Sequence, residues 1–280
     1  MTRWSGLLLT LSLTAGLSGQ NTVTLEPRDQ VDGLYTGMAR ELPNGVCHNN
    51  DCVWTLEHLL TYYSVALDDA GLNGALRDRR ADVRSMAADE LAKRGGKEAI
   101  PWLAAALSSE TAVGTRLHLA DSLAQLGDPQ GMAVLETLCK SGGQSDPVAE
   151  ATVRLHASLF LQQRHKTCNS CVIDLLRTLD RPEAPREFGL RATALSLTSD
   201  LESATPEQAT AIREIAGRWL ADEDDNVRRQ ASAALVLYGD GDSYHKLKAA
   251  LAVERDSMTH TCMQEELRKM EGLLPGTVKK

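Results

Sequence analysis

The feature that most constrains this chain is that it repeats itself. The run Arg84-Ser-Met-Ala-Ala-Asp-Glu-Leu-Ala-Lys-Arg-Gly95 lies over Arg116-Leu-His-Leu-Ala-Asp-Ser-Leu-Ala-Gln-Leu-Gly127. The arginines, Ala88/Ala120, Asp89/Asp121, Leu91/Leu123, Ala92/Ala124 and the glycines all coincide. With Arg228 placed on Arg84, Val227 falls on Val83, Leu235 on Leu91, Gly239 on Gly95, Leu247 on Leu103 and Leu251 on Leu107. A third copy starts at Val153-Arg154, with Ala157 and Leu161 in register. A fourth, more divergent copy runs through Phe188, Ala192 and Leu195. The copies are separated by about 32, 38, 34 and 40 residues, a period typical of helical repeat arrays.

Each copy has two halves. The first carries apolar residues at helical spacing, as in Val83, Ala87, Ala88 and Leu91. A glycine then ends the helix. In Gly127-Asp128-Pro129, Gly suits a left-handed stop, Asp caps the next helix and Pro fits its first turn. The second half is another amphipathic helix: Ile100, Leu103, Ala104 and Leu107 in the first copy, Met132, Leu135 and Leu138 in the second. In the fourth copy Thr205-Pro206-Glu207-Gln208 reads as a capping box, followed by the apolar face Ala209, Ile212, Ala216 and Trp219. A two-helix unit of this size cannot bury its apolar face alone, and stacking its neighbours does so. Composition agrees. Hydrophobic residues make up 42%, enough for a core, while aromatics are only 4%, which favours Ala/Leu-rich helices over a sandwich or barrel.

The pattern Asp82-Val83-Arg84…Ala87-Ala88…Leu91…Gly95…Ile100-Pro101…Leu103…Ala106-Leu107 resembles a HEAT-type repeat. It is most similar to the short variant first associated with phycobilisome lyases. The resemblance covers roughly residues 81–256 and is closest in copies one, two and five. It implies an all-α, right-handed α-solenoid of about five HEAT-like helix pairs. It also implies that the repeat arginines Arg84, Arg116, Arg154 and Arg228 are structural, pairing with acidic residues or helix-end carbonyls near the neighbouring repeat. Around this core, residues 47–80 read as a degenerate capping repeat and residues 257–280 as a capping helix and tail. Met263, Leu267, Met270 and Leu273 line one side of that helix. Residues 21–46, with Pro27, Gly33, Pro43 and Gly45, read as an irregular arm.

Residues 1–20 have the pattern of a secretory signal peptide: Arg3, then the apolar run Leu7, Leu8, Leu9, Leu11 and Leu13, then small residues. The run is too short to span a bilayer, which needs about 20 residues. The expectation is an exported, periplasmic or extracellular protein with no stable membrane insertion after cleavage. The six cysteines suit an oxidising compartment. Cys47 and Cys52 flank a polar turn, and Cys168-Asn-Ser-Cys171 is a C-x-x-C, so two local bridges are expected there. Cys139 falls on the core position of Leu107 and is expected buried and reduced; Cys262 lies on the terminal helix.

Little else points to chemistry. The net charge of −8 argues against nucleic acid as a partner. Zinc-protease, phosphate-loop and nucleophile-elbow motifs are absent from the sequence. His118 and His156 share a repeat position two residues after the arginine, and by helical angle they read as a solvated pair. Asp222-Glu-Asp-Asp225 reads as helix capping, with a weak calcium site as the alternative. The expected function is a non-enzymatic scaffold or adaptor, without cofactor, that binds a protein or peptide on its solenoid surface. The alternatives are a metal- or redox-active protein centred on His165, Cys168 and Cys171, or an accessory subunit of an enzyme.

Overall fold

The computed structural model describes residues 46–48, 51–53, 56–163, 169–186, 189–201 and 204–273. The signal segment and nearly all of the arm, together with His165 and Cys168, lie outside them. The chain opens with a small hairpin, β1 (Val46–His48) against β2 (Asp51–Val53), which places Cys47 opposite Cys52 in the backbone register. The side chains of this pair lie outside the described residues. The hairpin lies at the start of the stretch read as a capping repeat, ahead of its helices.

Thirteen α-helices follow among the described residues. They are α1 (Leu56–Tyr62), α2 (Asp69–Ala75), α3 (Ala81–Arg94), α4 (Ile100–Ser109), α5 (Val113–Gln125), α6 (Pro129–Ser141) and α7 (Pro147–Gln163). Then come α8 (Asn169–Leu179), α9 (Leu190–Ser196), α10 (Pro206–Trp219), α11 (Asp225–Tyr238), α12 (Gly241–Val253) and α13 (Ser257–Leu273). The described residues divide into two compact units, one up to residue 144 and one from residue 145. In the first, α3 packs on α5, and α4 and α6 each pack on α5. In the second, α9 packs on α7 and α11, α11 packs on α13, and α10 packs on α8 and α12. First helices thus stack on first helices in each unit, and second helices on second helices in the second unit, the arrangement of an α-solenoid rather than a closed bundle.

The boundaries follow from local chemistry. Gly127 takes the left-handed conformation (φ 85°), the Asp128 carboxylate accepts from the Gln130 amide at 2.8 Å, and Pro129 opens α6. Thr205 and Gln208 make the reciprocal capping box, with Pro206 in the first turn. The divergent fourth copy has a short first helix, α9, that continues as a 3-10 turn over Leu197–Asp200.

Each unit has its own core. In the first it is built from Leu72, Met86, Leu91, Leu103, Leu119 and Leu123, among others. In the second, Leu176, Leu195, Ile212, Trp219, Leu235 and Leu247 lie within it. The repeat stripes Val83/Ala87/Leu91 and Val227/Leu235 are buried. On α13, Met263, Leu267 and Met270 are buried, whereas Leu273 is 64% exposed. Leu273 is the last residue of the helix, beyond the turn that covers the core, so it does not join the apolar face.

Candidate functional site

Arg84 and Arg228 occupy the same repeat position and make the same contacts. Arg84 Nε and Nη2 donate to the two Glu110 oxygens at 2.6 and 2.9 Å, and Nη1 donates to the Asp78 carbonyl at 2.8 Å. Arg228 does likewise with Glu254 (2.7 and 3.0 Å) and the Asp222 carbonyl (2.9 Å). Glu110 and Glu254 are the residues that close α4 and α12. Each also accepts the two backbone N–H groups that follow it, those of Thr111 and Ala112, or of Arg255 and Asp256. One carboxylate therefore ties a first helix to the turn leaving its own second helix.

Burial on its own would raise the Glu110 carboxyl; the Arg84 hydrogen bonds and those of the following amides overcome it and hold its pKa below the usual carboxylate value. At Glu254 the Arg228 hydrogen bonds dominate and give the same direction. The glutamates lie 26 residues after their arginines, an offset identical in copies one and five. That shared offset is a sequence signal the repeat reading passed over.

The other copies depart from this pattern. In copy two the same offset from Arg116 falls on Gly142, which ends α6 in a left-handed conformation. The buried Arg116 Nε has no hydrogen-bond partner. In copy three Arg154 donates to Thr178 Oγ1 at 3.0 Å, and its pKa is lowered by burial. In copy four Arg191 takes the role: its Nη1 donates to Asp222 at 2.8 Å, Nε to the Leu179 carbonyl, and its guanidinium lies over the Trp219 ring. The divergence around Phe188 hid Arg191 from the repeat alignment.

The histidine reading needs correction. His118 is buried, and its Nδ1 lies 2.9 Å from Asp89 Oδ2 on α3. It belongs to a polar seam between α3 and α5 with Ser85–Thr115 and Ser122–Asp89 contacts. A first helix in a stack is covered on more than its apolar stripe, because the neighbouring first helix packs beside it. His156 is half-buried and bonds the Thr152 carbonyl in its own helix.

The cysteine reading changes as well. Cys139 is fully buried, as its repeat position implies, but it is disulfide-bonded rather than reduced. Its position marks it as a core residue; what its sulfur meets is set by residues distant in sequence. Cys171 is also disulfide-bonded, and Cys262 is a free thiol.

The acidic run is occupied by structural contacts. Asp222 pairs with Arg191, Glu223 with Arg186 and Asp225 with Arg229, while Asp224 caps α11 through the Asn226 amide. No group of three or more candidate metal ligands occurs among the described residues. No described helix is long and apolar enough to cross a membrane.

An open groove of about 500 Å³ runs between the second helices α8 and α10. Arg177 and Asp180 line one side and one face of α10 lines the other.

Residues 70–157 match the family model for HEAT repeats. The match runs from α2 into α7 and, with the stacking of first and second helices, supports the HEAT-repeat family for this chain. No curated protein matches the chain.

Proposed function

We propose that this protein is an exported, non-enzymatic HEAT-repeat scaffold or adaptor that binds another protein or a peptide through its helix surface. The observation that carries the reading is a HEAT-repeat match on stacked helix pairs whose recurring charged residues are engaged in tying helices together. What such a stack offers is surface, and HEAT repeats commonly serve as interaction scaffolds. The short phycobilisome-lyase-type variant is part of this reading, supported by the compact repeat of copies one and two. Export is supported by the signal-like segment 1–20 and by disulfides at Cys139 and Cys171, which persist in oxidising compartments. The metal-binding form of the alternative centred on His165, Cys168 and Cys171 requires a thiolate at Cys171, which the disulfide there does not supply. The redox form passes through a disulfide, and the reduction potential of that bond tests it. An accessory subunit of an enzyme is one form the scaffold takes.

The test is to immobilise the chain from residue 21 onward and pass over it the exported fraction of its own organism. One saturable protein partner, competed by free bait and of fixed stoichiometry, is the expected result. Retention of nothing by oxidised and reduced bait alike overturns the scaffold reading. Fusing residues 1–20 to a reporter active only after export tests localisation.

A further inference from the structure

We propose that the groove between α8 and α10 receives a cationic stretch of a partner polypeptide, held between Glu207 and Glu214. The proposal rests on the scaffold reading and specifies what one part of that surface recognises. Along α10, Pro206, Thr210, Glu214 and Arg218 form one row at i, i+4 spacing, and Glu207, Ala211 and Ile215 form the next. Both rows face the groove. Ile215 is buried at its floor and Ala211 is half-buried beside it. Glu207 and Glu214 are exposed, one towards each end of this apolar floor.

The charges around the groove are not equally available. Arg218 is held by Asp180 at 2.5 Å, and the same carboxylate accepts from Trp219 Nε1 at 2.9 Å. Arg177 lies 3.3 Å from Asp174 on its own helix. Both cations facing the groove are therefore answered within the chain. Glu207 and Glu214 make no ion pair among the described residues, although Arg218 sits one turn beyond Glu214. The groove thus presents two carboxylates without a hydrogen-bonded ion-pair partner on a partly apolar surface, Glu214 within the field of Arg218 and Glu207 in the first turn of α10. An anion would have to displace Asp180 from Arg218 and Trp219 and then lie beside two like charges. A cation displaces nothing, and the three carboxylates lining the groove, Asp180, Glu207 and Glu214, outnumber the two guanidiniums of Arg177 and Arg218.

The spacing sets the form of the ligand. Seven helical residues at 1.5 Å each separate the two glutamates by about 10 Å, on nearly the same face. A segment in polyproline II conformation rises about 9 Å over three residues and returns to the same side. The matching segment is Lys/Arg-x-x-Lys/Arg with apolar residues between the charges, where they can cover Ala211 and Ile215.

The experiment uses the full chain and two labelled peptides, Gly-Lys-Ala-Leu-Lys-Gly and its counterpart with glutamate at both lysines, read by fluorescence anisotropy. Saturable binding of the lysine peptide is expected. It should weaken about tenfold in the E207Q/E214Q double variant, as loss of two exposed ion pairs implies. It should also weaken as salt rises from about 50 to about 300 mM. The E136Q/E265Q variant, an equal charge change at exposed sites on α6 and α13, should retain it. Unchanged far-UV circular dichroism and melting certify each variant. Equal affinity for wild type and E207Q/E214Q, preference for the glutamate peptide, or no saturable binding overturns the proposal. A partner from the exported fraction retained equally by wild-type and E207Q/E214Q bait removes the groove assignment and leaves the scaffold reading standing. With the peptide result intact, absence of any retained partner removes the scaffold reading instead.

Discussion

Glu110 and Glu254 each accept four hydrogen bonds, two from a repeat arginine and two from the backbone of the next turn. Their side chains are only 5% and 4% exposed. Removing one partner of such a pair leaves a buried charge uncompensated, which costs about 3–5 kcal/mol. Arg84→Met and Arg228→Met should each lower stability to urea by that amount. Arg116→Met, at the copy where the carboxylate is replaced by Gly142, should cost less than about 1 kcal/mol. Equal losses at all three positions would contradict this assignment. The pH dependence follows from the sign of the shifts. Both glutamates have folded-state pKa values below their usual 4.5. Their contribution is present above the unfolded-state pKa and drains as pH falls through the lower folded value. The stability gap between wild type and Arg84→Met should therefore be constant above about pH 5 and narrow towards pH 3. Urea titrations across that range test it, and a gap unchanged at pH 3 would count against it.

Among the elements, the helix ends do most of the dividing. Gly239 occupies the repeat position of Gly95 but for a different reason. Gly95 has φ 72°, whereas Gly239 has φ −77° and ends α11 where an added Cβ would lie 2.1 Å from the Leu235 carbonyl oxygen. Gly239→Ala should therefore lower the melting temperature although its backbone angle is ordinary. Thr205→Ala removes one half of the α10 capping box and should cost about 1 kcal/mol by chemical denaturation. Helix α13 closes the second unit: it buries Met263, Leu267 and Met270 against the core, while most of its opposite side is polar. A chain truncated before Ser257 should expose that core, bind a hydrophobic dye and self-associate in sedimentation, as expected when a capping element is lost. A monodisperse truncated chain without dye binding would contradict that role.

For the molecule as a whole, two cores and two units stand where the repeat alignment shows one continuous array. The division follows α6, after which Gly142-Gly-Gln-Ser replaces the glutamate turn used in copies one and five. Covalent structure acts at this scale too. Alkylation of the unfolded, unreduced chain followed by mass spectrometry should label Cys262 and spare Cys139 and Cys171, which react only after reduction. Label on Cys139 before reduction would return it to the buried, reduced state its repeat position first suggests.

What could be read from the sequence was what short-range physics controls. The helix stripes, the Gly-Asp-Pro junction and the Thr205 capping box depend on residues within one or two turns, so their spacing alone identifies them. The stacking of pairs followed because each pair has an apolar face that only a neighbour can cover. The tertiary structure decided whatever depends on residues brought together from afar. It buried His118 against Asp89, assigned Arg191 the role of the missing fourth arginine, drew Cys139 into a disulfide and set Glu207 and Glu214 beside a groove. Periodicity specifies which side of a helix is apolar. The fate of a polar side chain depends on which helix stands opposite it, and that is settled only when the repeats pack.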